Sequence, residues 1–500
     1  MRFNETSTST VVFLLLTFAE AGRFSLLNFL NQLAGDMINT LRLDNFKSWQ
    51  TTGELQLGSI TGFFGANSSG KTSLLQALLL LKQTIESSDR NQTLDFGKPG
   101  EASYVESGSF DDVVFKHDKN SSLRFEMAWD LPKELVIANP ETPKSELFKS
   151  NKLSFSTEIC QKQPEGSLFV KQLSYDFADV CFKYQKRNGS ELYELKAESA
   201  HHPFRFKMTP GRKWYPPSPI KFYGFPDQSK YYYQNAGFIA DFQFQFESLF
   251  KNIYYLGPLR DYPRREYIWS GSQPEDMGRR GEKAIDAILV SDDRGVKINR
   301  GYKKHKKSLG ECVAMWLKDL GLIHSFAIKP LVESGTYYRV WVRKNAASPE
   351  VLLTDVGFGV SQILPVITLC FYAPEGSTLL IEQPEIHLHP KVQAGLADVF
   401  VDVAKTRSIQ IILESHSEHL LRRLQRRMAE EVLNPDDVAL YFCKSNDGAS
   451  SIERLQTDML GNILNYPTDF FGDEMGEITA MSRAQIHQKL KRNTQNELHH

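Results

Sequence analysis

Cysteine is scarce in this chain: five residues among 500, at positions 160, 181, 312, 370 and 443, with no C-x-x-C pair. That scatter excludes a disulfide framework and a cysteine metal cluster, and it suits a reducing cytosol. A strong net charge is also missing, since 59 Lys and Arg face 60 Asp and Glu. Such a balance neither demands nor forbids nucleic acid. No heptad pattern persists over several repeats, so long coiled-coil arms are excluded. The apolar run Val11–Ala19 is too short to span a bilayer. With Ala19-Glu20-Ala21 it mimics a secretory leader, but Arg2 alone precedes it as a fixed positive charge and Glu5 offsets that. The domain-like pattern starts at Met37, so residues 1–36 read as a spurious or dispensable extension.

What is present is organised around Gly65-Ala66-Asn67-Ser68-Ser69-Gly70-Lys71-Thr72, which reads G-x-x-x-x-G-K-[ST]. Before it, Ile60–Phe64 is short and apolar, suiting a buried strand. After it, from Ser73, comes a leucine-rich run of strong helix formers. A loop between such a strand and such a helix aims backbone N–H groups and a helix N-terminus at one point, which suits a polyphosphate. Gly65, Asn67, Ser68, Ser69, Gly70 and Ser73 would shape the cradle. Lys71 would reach the β- and γ-phosphates of ATP, and the Thr72 hydroxyl would ligate Mg²⁺.

The pattern predicts strands over Ile38–Trp49 and Glu54–Leu57, and strand-like pieces around Ser109–Phe115 and Ser122–Met127. From about 131 to 250 the chain turns rich in Phe, Tyr and alternating positions, broken by Tyr215-Pro216-Pro217-Ser218-Pro219. This reads as an inserted, partly β lobe whose aromatics are core rather than base-stacking platforms. Helices are expected over Glu282–Val290 and Ser308–Leu320. Between them Arg294, Lys297, Arg300, Lys303, Lys304, Lys306 and Lys307 crowd one loop, either a solvated surface or a contact to a DNA backbone.

The second half narrows the chemistry. Ser377–Glu382 is an apolar strand ending in a carboxylate, followed by Gln383-Pro384-Glu385-Ile386-His387-Leu388-His389-Pro390. A carboxylate there can hold Mg²⁺ through water, which makes Glu382 the Walker B acid and, with Thr72, the expected metal site. Upstream, Asp355–Gln362 places glycines and Ser361 at the start of an apolar helix, a second anion-binding arrangement. Downstream, the strand Ile409–Leu413 leads into Glu414-Ser415-His416-Ser417, with His416 set to sense the γ-phosphate. His387 and His389 resemble a metal pair by spacing but lack a third ligand. Arg260 is either a brace for an acid or a nucleotide-linked sensor.

This order of motifs resembles the ABC-class ATPases, and its wording is similar to the RecF-like and OLD-like branch of bacterial AAA-type proteins. The resemblance rests on Asn45-Phe46-Lys47, Gly65–Thr72, Tyr255–Arg260, Glu382–Pro390 and Ser415–Ser417, and spans about Met37 to Leu424. The stretch Asn465–Phe471 is similar to a C-terminal domain of unknown function found on some of these ATPases. The resemblance implies a P-loop NTPase of ABC/SMC-head type, α/β, with a mixed sheet core. It also implies an ATP-dependent homodimer in which Ser361 of one copy faces the phosphate loop of the other.

Two departures qualify it. Gln383 stands where many relatives carry the glutamate that polarises water, and an amide is no general base. A Gln can still orient water, or Glu385 can substitute. The Toprim nuclease domain of OLD-like proteins is missing after Ser417, so no nuclease is expected within this chain. The expected organisation is an extension (1–36), an ATPase first half (37–130), the lobe (131–250), an ATPase second half (251–445) and a C-terminal segment (446–500). The expected function is an ATP-hydrolysing, cytoplasmic switch with a separate effector protein, in anti-phage defence or genome maintenance. An ATP-gated DNA binder and a non-hydrolysing scaffold are the alternatives.

Overall fold

The computed structural model describes residues 36–98, 100, 103–139, 145–201, 204–211, 215–301, 304–332, 335–467, 470 and 479–485. Residues 1–35 of the expected extension 1–36, Lys303 and Phe471 lie outside the described residues. Among the described residues, three sheets organise the chain. The central one has six strands, in the order Ile253–Leu256, Thr378–Glu382, Gln410–Glu414, Ile60–Gly65, Val438–Asn446 and Ala449–Arg454. Its first five strands are parallel, and only the last pairs antiparallel. Parallel strands covered on both faces read as continuous apolar runs, and Ile60–Gly65, Thr378–Glu382 and Gln410–Glu414 are buried throughout.

The two faces of this sheet feed two different cores. Phe63, Leu380, Ile412 and Tyr441 point into the core shared with the helix Lys71–Glu86 and an eight-stranded sheet. Phe64, Leu379, Ile381, Ile411 and Leu413 point into the other, formed with the helices Leu309–Asp319, Phe358–Tyr372, Pro390–Arg407 and Glu418–Ala429. The alternation is the period-two geometry of a strand. Lys71–Glu86 is apolar on nearly all sides because it lies between layers, with Leu74, Leu75, Leu78, Leu79, Leu80 and Leu81 all buried.

The eight-stranded antiparallel sheet runs Trp49–Thr51, Met37–Phe46, Leu123–Ala138, Glu146–Gln161, Leu168–Phe177, Val180–Lys186 and Tyr193–Glu198, with Leu55–Gln56 beside Met37–Phe46. The strand Leu123–Ala138 passes through position 130 and bonds Met37–Phe46 on one side and Glu146–Gln161 on the other. The β-rich region is thus continuous with the opening strand of the chain. Helix Ile239–Lys251 covers this sheet, and its Phe246 ring lies 4.4 Å from Phe155 and 4.9 Å from Phe250. Phe148, Phe155, Tyr175, Phe182 and Phe242 are buried in the same core, whereas Tyr231 and Phe244 are exposed.

One expected strand is corrected. Ser109–Phe115 contains a helical turn, Phe110–Val113, because Ser109 and Asp112 close a capping box. The Ser109 N–H donates to Asp112 Oδ2 at 2.8 Å, and its hydroxyl donates to the same oxygen at 2.7 Å.

Candidate functional site

In an open parallel sheet, ligands settle where the carboxyl ends of the strands meet the loops that follow them. Three such ends converge here. The register sets Glu382 opposite Glu414 and Glu414 opposite Phe63, so both carboxylates arrive at the level of the phosphate loop. The loop itself needs its glycines. Gly65 has φ +139°, and a Cβ there would lie 2.2 Å from the Cys443 carbonyl oxygen. Gly70, at φ +90°, would meet the hydroxyls of Ser450 and Ser48. The Trp49 indole N–H donates to the Gly70 carbonyl at 3.1 Å and ties the loop to the eight-stranded sheet.

A cleft of about 230 Å³ lies over this loop, lined by Ser48, Asn67, Ser68, Ser69, Gly70, Lys71, Thr72, Ser73, Gln383, Glu414 and His416. Lys71 is buried and folds its ammonium onto its own loop, donating to the carbonyls of Ala66 at 2.6 Å and Gly65 at 3.1 Å. Burial holds its pKa below the ordinary value, with the Glu414 charge opposing the shift. A phosphate chain would offer that ammonium a charged partner in place of two neutral carbonyls. The Thr72 hydroxyl donates to Glu414 Oε2 at 2.7 Å, and the Gln383 amide reaches Glu414 Oε1 at 3.4 Å. Burial, then the nearby Lys71 charge, keeps His416 below its usual pKa, favouring a neutral imidazole at the cleft.

Glu382 does not line this cleft. Its side chain accepts a 2.8 Å hydrogen bond from the Tyr255 hydroxyl and is buried. Burial, together with the Glu414 charge, pushes its carboxyl up to about 7. Lys47, half-buried and bonded to Gln76, feels the Glu382 charge as well. Glu385 lies beneath the next loop, where its Oε1 accepts the His416 N–H at 2.6 Å; it too is off the cleft lining. Ser361 is buried in the helix Phe358–Tyr372 and donates to the Phe358 carbonyl at 2.7 Å. Within one chain it lines a separate small cleft with Asp261, Tyr262 and Arg264, away from the phosphate loop.

Arg260 proves to be a brace for backbone. Its guanidinium donates to the carbonyls of Pro258 at 2.7 Å, Gln383 at 3.1 Å and Glu382 at 2.9 Å. Burial lowers its pKa to about 10, against the charges of Glu385 and Glu382. It thereby fixes a turn in which Gln383 sits at φ +43°.

His389 caps the helix Pro390–Arg407 through Lys391 N–H, and the exposed His387 ring packs against Phe358 at 5.1 Å. Among the described residues no cluster of three or more His, Cys, Asp or Glu could hold a metal by itself. The Thr72 hydroxyl and Glu414 carboxylate are nevertheless hard oxygen donors beside a phosphate cradle, a donor set that fits Mg²⁺ completed by phosphate and water. In the basic loop, Lys297 pairs with Glu311 at 3.9 Å and Lys304 with Asp402 at 3.7 Å, so part of its charge is answered within the chain. A larger cavity, about 1060 Å³, opens beside Lys82, Tyr104, Lys221 and Tyr255. It shares no residue with the cleft over the phosphate loop. Among the described residues no helix is long and apolar enough to cross a membrane.

Sequence reasoning missed Glu414. The signal was an acid at the end of a second buried strand, two residues before a histidine.

Comparison with known families gives three matches. Residues 37–207 match a family described as "AAA ATPase domain". Residues 222–422 match "AAA domain, putative AbiEii toxin, Type IV TA system". Residues 433–481 match "Protein of unknown function (DUF3696)". No curated protein matches. Among solved structures, the chain is similar to an Smc head bound to the C-winged helix domain of ScpA, with 12% identity, a TM-score of 0.43, and 84% of this chain and 98% of that one covered. It is similar also to the Smc head bound to the C-terminal domain of ScpA from Pyrococcus furiosus (9% identity, TM-score 0.42, 84% and 96% covered). A third is the SMC head domain from Thermotoga maritima (11% identity, TM-score 0.34, 84% and 99% covered). The phosphate loop thus stands on a mixed α/β P-loop fold, and the stretches 37–207 and 222–422 are similar to AAA-type ATPase domains.

Proposed function

We propose that this chain is an ATP-driven switch: it binds Mg·ATP at Gly65–Thr72, closes as a homodimer, and acts on a separate effector protein. The observation that carries this reading is the cleft itself. It gathers Lys71, Thr72, Gln383, Glu414 and His416 from three strand ends around one glycine-bounded loop. Lys71 neutralises the β- and γ-phosphates, His416 faces the terminal phosphate, and Ser361 of a second copy closes the opposite side. That last role is compatible with the place of Ser361 near the start of its helix, outside the cleft over the phosphate loop of its own chain.

In this reading hydrolysis is slow. Gln383 orients water without removing its proton, and Glu385 is turned toward the His416 backbone. A long-lived ATP state suits a switch better than a motor. The match to a domain described with a toxin–antitoxin toxin supports a place in bacterial anti-phage defence, with genome maintenance as the neighbouring reading.

The test is Lys71→Ala. We expect nucleotide affinity, read by fluorescence of a labelled ATP, to fall by roughly a hundredfold or more, about 3 kcal/mol. Affinity equal to wild type overturns the site assignment.

A further inference from the structure

Two carboxylates end neighbouring strands of the central sheet, Glu382 and Glu414, paired in register. Sequence order favours Glu382 as the metal acid, because it ends an apolar strand and precedes Gln383-Pro384-Glu385. The geometry separates them differently. Glu382 is turned to the Tyr255 hydroxyl, 2.8 Å away, and is absent from the lining of the phosphate cleft. Glu414 lines that cleft and accepts the Thr72 hydroxyl at 2.7 Å. Its strand lies directly beside the phosphate-loop strand, whereas the Glu382 strand is one position further out.

Thr72 is the residue of the phosphate loop whose hydroxyl meets the cation of a bound nucleotide. A carboxylate already in hydrogen-bond contact with that hydroxyl is placed to share the same ion, since both are hard oxygen donors. Gln383 approaches the other oxygen of Glu414 at 3.4 Å, so the carboxylate is held from both sides.

Resting on the ATP-binding reading above, we propose that Glu414, rather than Glu382, is the protein acid that holds the nucleotide's Mg²⁺ together with Thr72. Glu382, tied by Tyr255 and with its carbonyl held by Arg260, is a positioning residue that fixes the adjoining strand end.

The experiment measures Mn²⁺ binding by electron paramagnetic resonance on the full chain loaded with a non-hydrolysable ATP analogue. Nucleotide affinity in EDTA is measured in parallel. For Glu414→Gln we expect Mn²⁺ affinity to fall roughly 10–100-fold, while nucleotide affinity in EDTA does not fall, because a negative charge beside the phosphates has been removed. Glu382→Gln is expected to keep Mn²⁺ affinity near wild type. Glu414→Asp, which keeps the charge but shortens the arm, is expected to fall between and serves if the Gln variant does not fold. Unchanged Mn²⁺ affinity in both Glu414 variants overturns the assignment, as does loss in Glu382→Gln. Failure of the wild-type chain to bind nucleotide at all overturns the ATP reading itself.

Discussion

The hydroxyl of Thr72 and the carboxylate of Glu414 meet at 2.7 Å across 342 residues of chain. Their contact locks the first turn of the helix Lys71–Glu86 to the end of the strand Gln410–Glu414. Glu414 is buried, so a lost donor there leaves a carboxylate oxygen poorly satisfied. Thr72→Val, close in shape but without the hydroxyl, is expected to destabilise the nucleotide-free protein by roughly 1–3 kcal/mol. Urea denaturation without nucleotide checks this; an unchanged midpoint and slope contradict it.

The pH dependence of stability carries a signature of Glu382. Its folded-state pKa is pushed from 4.5 to about 7, so the folded chain holds a proton that the unfolded chain releases first. Stability is therefore greatest below about 4.5 for this group and declines as pH rises through about 7, by about 3 kcal/mol at most. Glu382→Gln stays neutral at every pH and lacks that decline. Melting curves at pH 5 and pH 8 should show a larger loss for wild type than for the variant. Parallel losses in both proteins contradict the buried, raised carboxyl.

Arg260 holds three backbone carbonyls with one planar group, a task a lysine ammonium cannot repeat with the same geometry. Arg260→Lys is expected to cost roughly 2–4 kcal/mol, as a buried charged donor loses partners. The turn at Gln383, held at positive φ, should loosen with it. Hydrogen exchange at residues 382–386 reads that loosening directly. Exchange as slow as in wild type would assign the brace elsewhere.

Phe246 is the hub of the aromatic core, packed on Phe155, Tyr175, Phe222, Tyr223 and Phe250. Its ring is fully buried, so Phe246→Ala is expected to cost roughly 3–5 kcal/mol. A change below about 1 kcal/mol, within the range of surface substitutions, would mean the ring is not core. Chemical denaturation distinguishes the two.

The parts of the site visible in the sequence are those built from contiguous residues. Gly65–Thr72 announces itself because a phosphate cradle needs glycines, a lysine and a hydroxyl at fixed spacing. The helix Leu309–Asp319 was equally plain, since Ser308 and Glu311 form its capping box. Glu414 was not visible, because its meaning depends on which strand lies beside Ile60–Gly65, and strand order is not written in any local pattern. The continuity of Met37–Phe46 with Leu123–Ala138 was hidden for the same reason. Ser109–Phe115 was legible and misread: its apolar residues suggested a strand, while Ser109 and Asp112 already carried the capping signal.

The most direct measurement of the whole account is the mass in solution of wild type and Lys71→Ala, each with and without Mg·ATP. A switch closed by nucleotide between two copies predicts a shift from one chain to two in wild type with ATP, and in no other sample. Wild type that binds ATP yet keeps the mass of a single chain would contradict it, as would a nucleotide-independent dimer in all four samples.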